Sequence, residues 1–172
     1  VIEYLLDGMF LKDLVGQKGS KISVKLITTF LPQVVIDSLL SVIHKTNLEI
    51  EHLTLEPIAA ANMVIPKEMY NFNLALIDIG AGTSDVAITK GGSMIGYAMV
   101  PVAGDEITES LAEKYMLEYK LAEKTKRNLI KKDMVKVKNI LGSEINIESN
   151  EALSVIRPQV KHMVNLISEK II

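Results

Sequence analysis

The chain has 172 residues, close to the ~150 typical of one domain, and is 48% hydrophobic and 23% charged, so it is not a disordered or low-complexity sequence. Nineteen Lys and Arg against 21 Asp and Glu leave a net charge of -2, without the basic footprint that binding to a nucleic-acid backbone requires. The absence of cysteine excludes disulfides, thiolate zinc sites and a cysteine nucleophile, and no apolar run approaches the ~18 residues that span a bilayer, so a soluble, cytoplasmic protein is expected.

Residues 1–8 read as a strand that ends at the Asp7-Gly8 turn, and Gly16 to Ser20 form a loop. Ile22, Val24 and Leu26 then alternate with polar neighbours, the period-two signature of a half-buried strand. Pro32 suits a first helical turn, and Val35, Leu39, Val42 and Ile43 follow on one face, predicting a helix over 32–46. A strand is expected over Leu48 to Leu55, and a short helix rich in small residues opens at Glu56. Leu74 to Val100 carries the densest strand signals: an apolar strand over 74–79, a turn at Gly80 to Ser84, a strand over 85–89, a turn at Gly91-Gly92-Ser93 and a strand over 94–100. Thr108 to Asn128 is helical, broken near Met116 and Leu117. Val135 to Ile140 and Glu144 to Ile147 are placed to pair as a hairpin. Ser149 is placed to cap a last helix in which Leu153, Ile156, Val160, Met163, Ile167 and Ile171 form an apolar stripe and Pro158 introduces a kink.

The stretch with chemical content is Asp78-Ile79-Gly80-Ala81-Gly82-Thr83-Ser84-Asp85. Glycines two apart let backbone N–H groups approach a phosphate, Thr83 adds a hydroxyl, and a carboxylate at a strand end can hold Mg²⁺ through water. A dinucleotide fingerprint fails because Asp85 stands at the third glycine position and a strand follows instead of a helix. A Walker phosphate loop fails because no Gly-Lys-Ser/Thr follows. For Gly80 and Gly82 alone, an ordinary glycine hairpin between buried strands remains an equal alternative. Without further context Glu56, Glu123 and Lys126 read as solvated charges, His44, His52 and His162 are scattered, and the eight Met suit packing.

Four motifs occur in order: Glu56-Pro57-Ile58-Ala59-Ala60-Ala61, Asp78 to Asp85, Val102-Ala103-Gly104-Asp105-Glu106-Ile107-Thr108, and Ala122-Glu123-Lys124-Thr125-Lys126. The series resembles the actin-like ATPase superfamily, which includes actin, DnaK-type chaperones and sugar kinases, and within it is most similar to the bacterial cell-division family FtsA. Tyr4-Leu5-Leu6-Asp7-Gly8 and Gly16 to Ile22 resemble the extra subdomain of that family. The resemblance implies an α/β fold with mixed sheets, made of incomplete actin-like (ribonuclease H-like) subdomains. Residues 1–52 would be part of the extra subdomain, 53–72 part of the first actin-like subdomain, and 73–172 the start of the second lobe. The first phosphate loop and the glycine-rich adenosine loop of the family have no counterpart here, so the chain is expected to be an internal piece with weak ATP affinity and no turnover of its own.

The resemblance also implies ATP and Mg²⁺ as cofactors. Gly80, Ala81, Gly82 and Thr83 match the phosphate-binding hairpin, Asp78 the residue that holds Mg²⁺ through water, and Glu56 the glutamate near the attacking water. Gly104 matches a glycine turn near the nucleotide, and Glu123 and Lys126 the pair that meets the ribose. Ala81 departs from the glycine that many relatives carry and would restrict the hairpin by forfeiting positive φ. The implied function is ATP-controlled assembly or protein-partner docking in cell division or envelope assembly, where the mechanism in the larger protein would be Mg²⁺-assisted phosphoryl transfer to water. The alternatives are a nucleotide-free scaffold of the same fold and a small-molecule kinase, the second disfavoured by the amino-terminal segment.

Overall fold

The computed structural model describes residues 1–91 and 93–171, which form two compact units. The first comprises Val1–Leu76 and Ala87–Tyr97, the second Ile77–Val86 and the residues from Ala98 onward.

The first unit opens with strands β1 (Glu3–Leu6), β2 (Met9–Leu11) and β3 (Ile22–Lys25), ordered β2-β1-β3 and antiparallel throughout. Asp7 and Gly8 connect β1 to β2 with φ of +50° and +86°, the left-handed pair that a two-residue hairpin requires. The Asp7 carboxylate accepts the backbone N–H groups of Ser20 (3.0 and 3.1 Å) and Lys21 (2.7 Å), fastening the loop before β3 to the turn. Strand β2 was not foreseen, because three residues are too few to show a period.

Helix α1 (Gln33–Lys45) follows Pro32 as its periodicity predicts. None of its residues is buried, however, and Val35, Leu39 and Val42 on its apolar face are 52%, 49% and 61% exposed. Ile36, Leu40 and Ile43 are half-buried, so the helix is covered on one side only. The strand expected over Leu48 to Leu55 does not form: no strand among the described residues pairs with it, and without a ladder an alternating pattern has no partner for its backbone groups. Helix α2 (Glu56–Val64) buries Pro57 and Ala61.

Strands β4 (Leu74–Ile79), β5 (Ser84–Lys90) and β6 (Ser93–Val100) form a sheet in the order β4-β5-β6. The four-residue connection between β4 and β5 permits only antiparallel pairing, since parallel neighbours need a long crossover. Central β5 buries Ser84, Val86, Ala87 and Thr89, whereas edge strand β4 leaves Ile77 and Ile79 exposed. Of the turn expected at Gly91-Gly92-Ser93, Gly91 has φ +56° and Gly92 lies outside the described residues.

In the second unit α3 (Gly104–Tyr115) starts four residues before the expected Thr108. The Glu106 carboxylate accepts the Ala103 N–H at 2.8 Å, and Asp105 and Glu106 complement the positive end of the helix dipole. The expected break falls at Met116, where φ is +51° and the Leu117 N–H bonds back to the Ala112 carbonyl. Helix α4 (Tyr119–Leu129) leads to the hairpin β7 (Met134–Lys138) and β8 (Glu144–Glu148), and α5 (Ser149–Ile171) follows with Pro158 inside it. Ser149 is not the cap the sequence suggests. Its hydroxyl donates to the Lys132 carbonyl (2.6 Å) and lies 3.3 Å from the Leu129 carbonyl, tying the start of α5 to the end of α4. The core joins Leu111, Leu117, Ala122, Val135, Val137, Ile147 and Ala152. Along α5 Met163 and Ile167 are buried, while Leu153 and Ile171 of the expected stripe face solvent.

Candidate functional site

The loop between β4 and β5 meets the start of α3 in the second unit. The Gly104 N–H donates to the Gly80 carbonyl (3.1 Å), and the Asp105 N–H to the Ala81 carbonyl (2.8 Å). Two donors that a helix start would otherwise leave orphaned are therefore spent on the loop. The Gly80 N–H closes the loop on the Thr83 carbonyl at 2.9 Å. Among the described residues, no backbone hydrogen bond takes the N–H groups of Ala81, Gly82 or Thr83. The tip keeps its donors.

Gly80 and Gly82 do not use left-handed backbone, and neither does Ala81. The departure at position 81 therefore carries no conformational cost, contrary to the sequence reading. The glycines supply room instead. A Cβ at Gly80 would lie 3.2 Å from the Thr83 carbonyl, and one at Gly104 would lie 3.2 Å from the Gly80 carbonyl and 3.5 Å from Lys126 Nζ.

Facing this loop, α3 and α4 share a polar cluster. Lys126 Nζ reaches Glu123 Oε2 (2.6 Å), Thr108 Oγ1 (2.7 Å) and the Gly104 carbonyl (2.9 Å). Thr108 Oγ1 lies 2.6 Å from Glu123 Oε2, and Arg127 Nε 2.7 Å from Glu123 Oε1. The Lys126 ammonium first, then the Thr108 hydroxyl and the Arg127 guanidinium, pull the Glu123 carboxyl from an ordinary 4.5 down to about 2. At the rim the Tyr119 phenol donates to Asp105, a bond that raises the phenol above its ordinary range. Together Ile79, Gly80, Ala81, Gly104, Asp105, Tyr119, Glu123, Lys126 and Arg127 line a hollow of about 440 Å³.

Of the residues expected to act together, Gly80, Ala81, Gly104, Glu123 and Lys126 line this hollow. Gly82 and Thr83 belong to the loop without lining it, and the Thr83 hydroxyl points to Asp85 at 3.5 Å. Asp78 stands exposed on β4 and does not line it either. Glu56 opens α2, in the other unit. Among the described residues no group of three or more Asp, Glu, His or Cys is arranged to ligate a metal directly. Sequence reasoning passed over Asp105, Thr108, Tyr119 and Arg127. The four-residue steps Gly104 to Thr108 and Tyr119 to Glu123 to Arg127 are the signal that placed them on shared helix faces.

The model of the family "Cell division protein FtsA" matches residues 75–168, more than half of the chain. The chain belongs to the FtsA family. Cell division protein FtsA of Bacillus subtilis is 24% identical over 146 residues, covering 80% of this chain and 33% of the relative. The Escherichia coli K12 protein is 23% identical over 180 residues, covering 99% of this chain and 43% of the relative. The chain thus spans between a third and a half of these FtsA proteins. Among solved structures, MreB5 of Spiroplasma citri bound to ADP superposes with a TM-score of 0.67 at 22% identity, covering 82% of this chain and 48% of that one. The PilM-PilN type IV pilus biogenesis complex gives 0.62 at 18% identity, covering 78% and 35%. The FtsA-family segment accordingly has the α/β fold of the actin-like ATPases.

Proposed function

We propose that this FtsA-family chain forms one wall of an ATP site, in a protein that uses nucleotide state to control assembly or partner docking during cell division. The observation that carries this reading is the convergence of Gly80 and Ala81 of the β4–β5 loop, the start of α3 and the Glu123–Lys126 pair on one hollow of about 440 Å³. That volume falls within the roughly 300–1,000 Å³ of small-molecule sites. The structures of Spiroplasma citri MreB5 with ADP and with AMPPNP, which share the fold, support a nucleotide as the occupant.

In this reading the N–H groups of Ala81, Gly82 and Thr83 and the Thr83 hydroxyl hold phosphate oxygens, and Glu123 with Lys126 meets the ribose. Gly104 lets the loop and α3 approach closely enough to shape the floor. The donor set suits Mg²⁺ held through water and not by a cage of side chains, with Asp78 as its carboxylate. Mg²⁺ would neutralise phosphate charge. Glu56 is assigned to orient water for hydrolysis in the larger protein. A cytoplasmic location completes the proposal; among the described residues no helix is long and apolar enough to cross a membrane.

One observation favours the rival reading of a nucleotide-free scaffold: the Lys126 ammonium is already satisfied within the chain by Glu123, Thr108 and Gly104. Titration calorimetry at millimolar ATP separates the two. Mg²⁺ should strengthen ATP binding to the wild-type chain and lose that effect in Asp78→Ala, whose melting temperature without nucleotide should be unchanged or raised. An affinity indifferent to Mg²⁺ in the wild type would remove Asp78 from the site, and no ATP binding at any concentration would leave the scaffold.

A further inference from the structure

Thr108 is fully buried, and its hydroxyl stands among polar groups, the Tyr119 phenol being one of its hydrogen-bonding neighbours. The Gly104 carbonyl is 3.1 Å away, Glu123 Oε2 2.6 Å and Lys126 Nζ 2.7 Å. A hydroxyl has one proton to give and lone pairs to receive. The ammonium occupies a lone pair, and the proton goes to the carboxylate, which is the shorter and charge-assisted contact. Glu123 Oε2 thereby receives two donors, Thr108 and Lys126, which use both of its lone pairs. Among the described residues Glu123 Oε1 receives only Arg127 Nε, from a side chain that is 77% exposed against 27% for Glu123. One lone pair of Oε1 is left for a ligand, and the carboxylate cannot rotate to offer Oε2 without breaking the buried bonds.

From this geometry we infer that Thr108 is a positioning and specificity residue: by fixing the Glu123 carboxylate it aims Oε1 at a sugar hydroxyl and makes the site prefer a ribonucleotide over its 2′-deoxy counterpart. The inference rests on the nucleotide reading of the hollow given above. Lys126 alone does not suffice: without the Thr108 hydroxyl its ammonium keeps only the Glu123 carboxylate and the Gly104 carbonyl, and at the end of a flexible stem it can shift with a rotating carboxylate. The Thr108 hydroxyl, held on α3, cannot follow. It acts through Glu123 and touches no ligand itself.

The test measures ATP and 2′-deoxy-ATP affinities of the 172-residue chain by amide chemical-shift titration, in the wild type and in Thr108→Val and Thr108→Ser. The wild type should favour ATP by about fivefold to tenfold, the worth of one hydrogen bond in a partly wet site. Thr108→Val should bring the two nucleotides within about twofold, and Thr108→Ser, which restores the hydroxyl, should return the preference. A carbon-detected titration of the Glu123 carboxyl should show it rising in Thr108→Val and staying low in Thr108→Ser. A threonine that only packs would weaken both nucleotides equally and leave their ratio unchanged, so an intact preference in Thr108→Val overturns the inference while leaving the ATP site standing. No shift with ATP in the wild type overturns the site and the inference together. If Thr108→Val does not fold, Thr108→Ala, which removes the hydroxyl together with the Cγ2 methyl and places no methyl at the hydroxyl's position, takes its place with the same expected loss of preference.

Discussion

Replacing Glu123 by Gln keeps the shape of the side chain and removes its charge, so it measures what the cluster between α3 and α4 contributes to folding. In the folded chain the carboxyl is lowered from 4.5 to about 2, held by Lys126, Thr108 and Arg127. At about 1.4 kcal/mol per tenfold change in acidity, the full difference corresponds to roughly 3 kcal/mol. The Arg127 share is discounted because that side chain is 77% exposed and solvent screens it, which leaves on the order of 2 kcal/mol for the buried partners. The sign follows from the direction of the change. A carboxyl whose folded value is depressed stabilises the fold above its unfolded value near 4.5, and that contribution fades as pH falls toward 2. Urea unfolding followed by circular dichroism at pH 7, 4.5 and 3 should therefore show Glu123→Gln about 2 kcal/mol less stable at pH 7, with the gap to the wild type narrowing steadily toward pH 3. Equal stabilities at pH 7, or a gap that stays constant down to pH 3, would refute the assignment of a buried, charge-assisted cluster.

Three further outcomes follow from the same structure. Leu111→Ala, at a fully buried core position of the second unit, should cost about 2–5 kcal/mol, whereas Val42→Ala on the uncovered face of α1 should change stability by less than about 0.5 kcal/mol; thermal unfolding of the two variants checks both. Asp7→Ala loses the acceptor of the Ser20 and Lys21 N–H groups and forces alanine into positive φ, so hydrogen exchange at Ser20 and Lys21 should accelerate at least tenfold, with protection in α3 to α5 unchanged. Gly104→Val should push the start of α3 away from the Gly80 carbonyl, seen as amide shifts at Gly80 and Ala81, and should weaken ATP binding more than Ala81→Gly, which the backbone at position 81 predicts to be nearly neutral.

What could be read from the sequence divides along a physical line. Local signals served well where the neighbour lay close in the chain: the Asp7-Gly8 turn, the Pro32 start of α1, the break at Met116 and the 134–148 hairpin each depend on residues a few positions apart. Leu48 to Leu55 failed because alternation reports a face that suits burial and not the presence of a partner strand. Ser149 failed because a helix-start serine can spend its hydroxyl on carbonyls from another element, here Leu129 and Lys132. Of the residues that motif order singled out, Gly80, Ala81, Gly104, Glu123 and Lys126 line one hollow. That order said nothing of Thr108, a residue whose part depends on two helices meeting, or of the Tyr119 bond to Asp105 across the same junction.

The proposed nucleotide site joins the Gly80–Thr83 loop to the Glu123–Lys126 pair. It is tested most directly by mapping amide shifts of the nitrogen-labelled 172-residue chain as Mg-ATP is added to several millimolar. Binding with Kd near or above about 1 mM is expected from a single phosphate loop, with the largest shifts at Ala81, Gly82, Thr83, Gly104 and Lys126 and saturating together on one isotherm. Shifts confined to other parts of the chain, or loop and helix signals that follow different isotherms, would contradict the account.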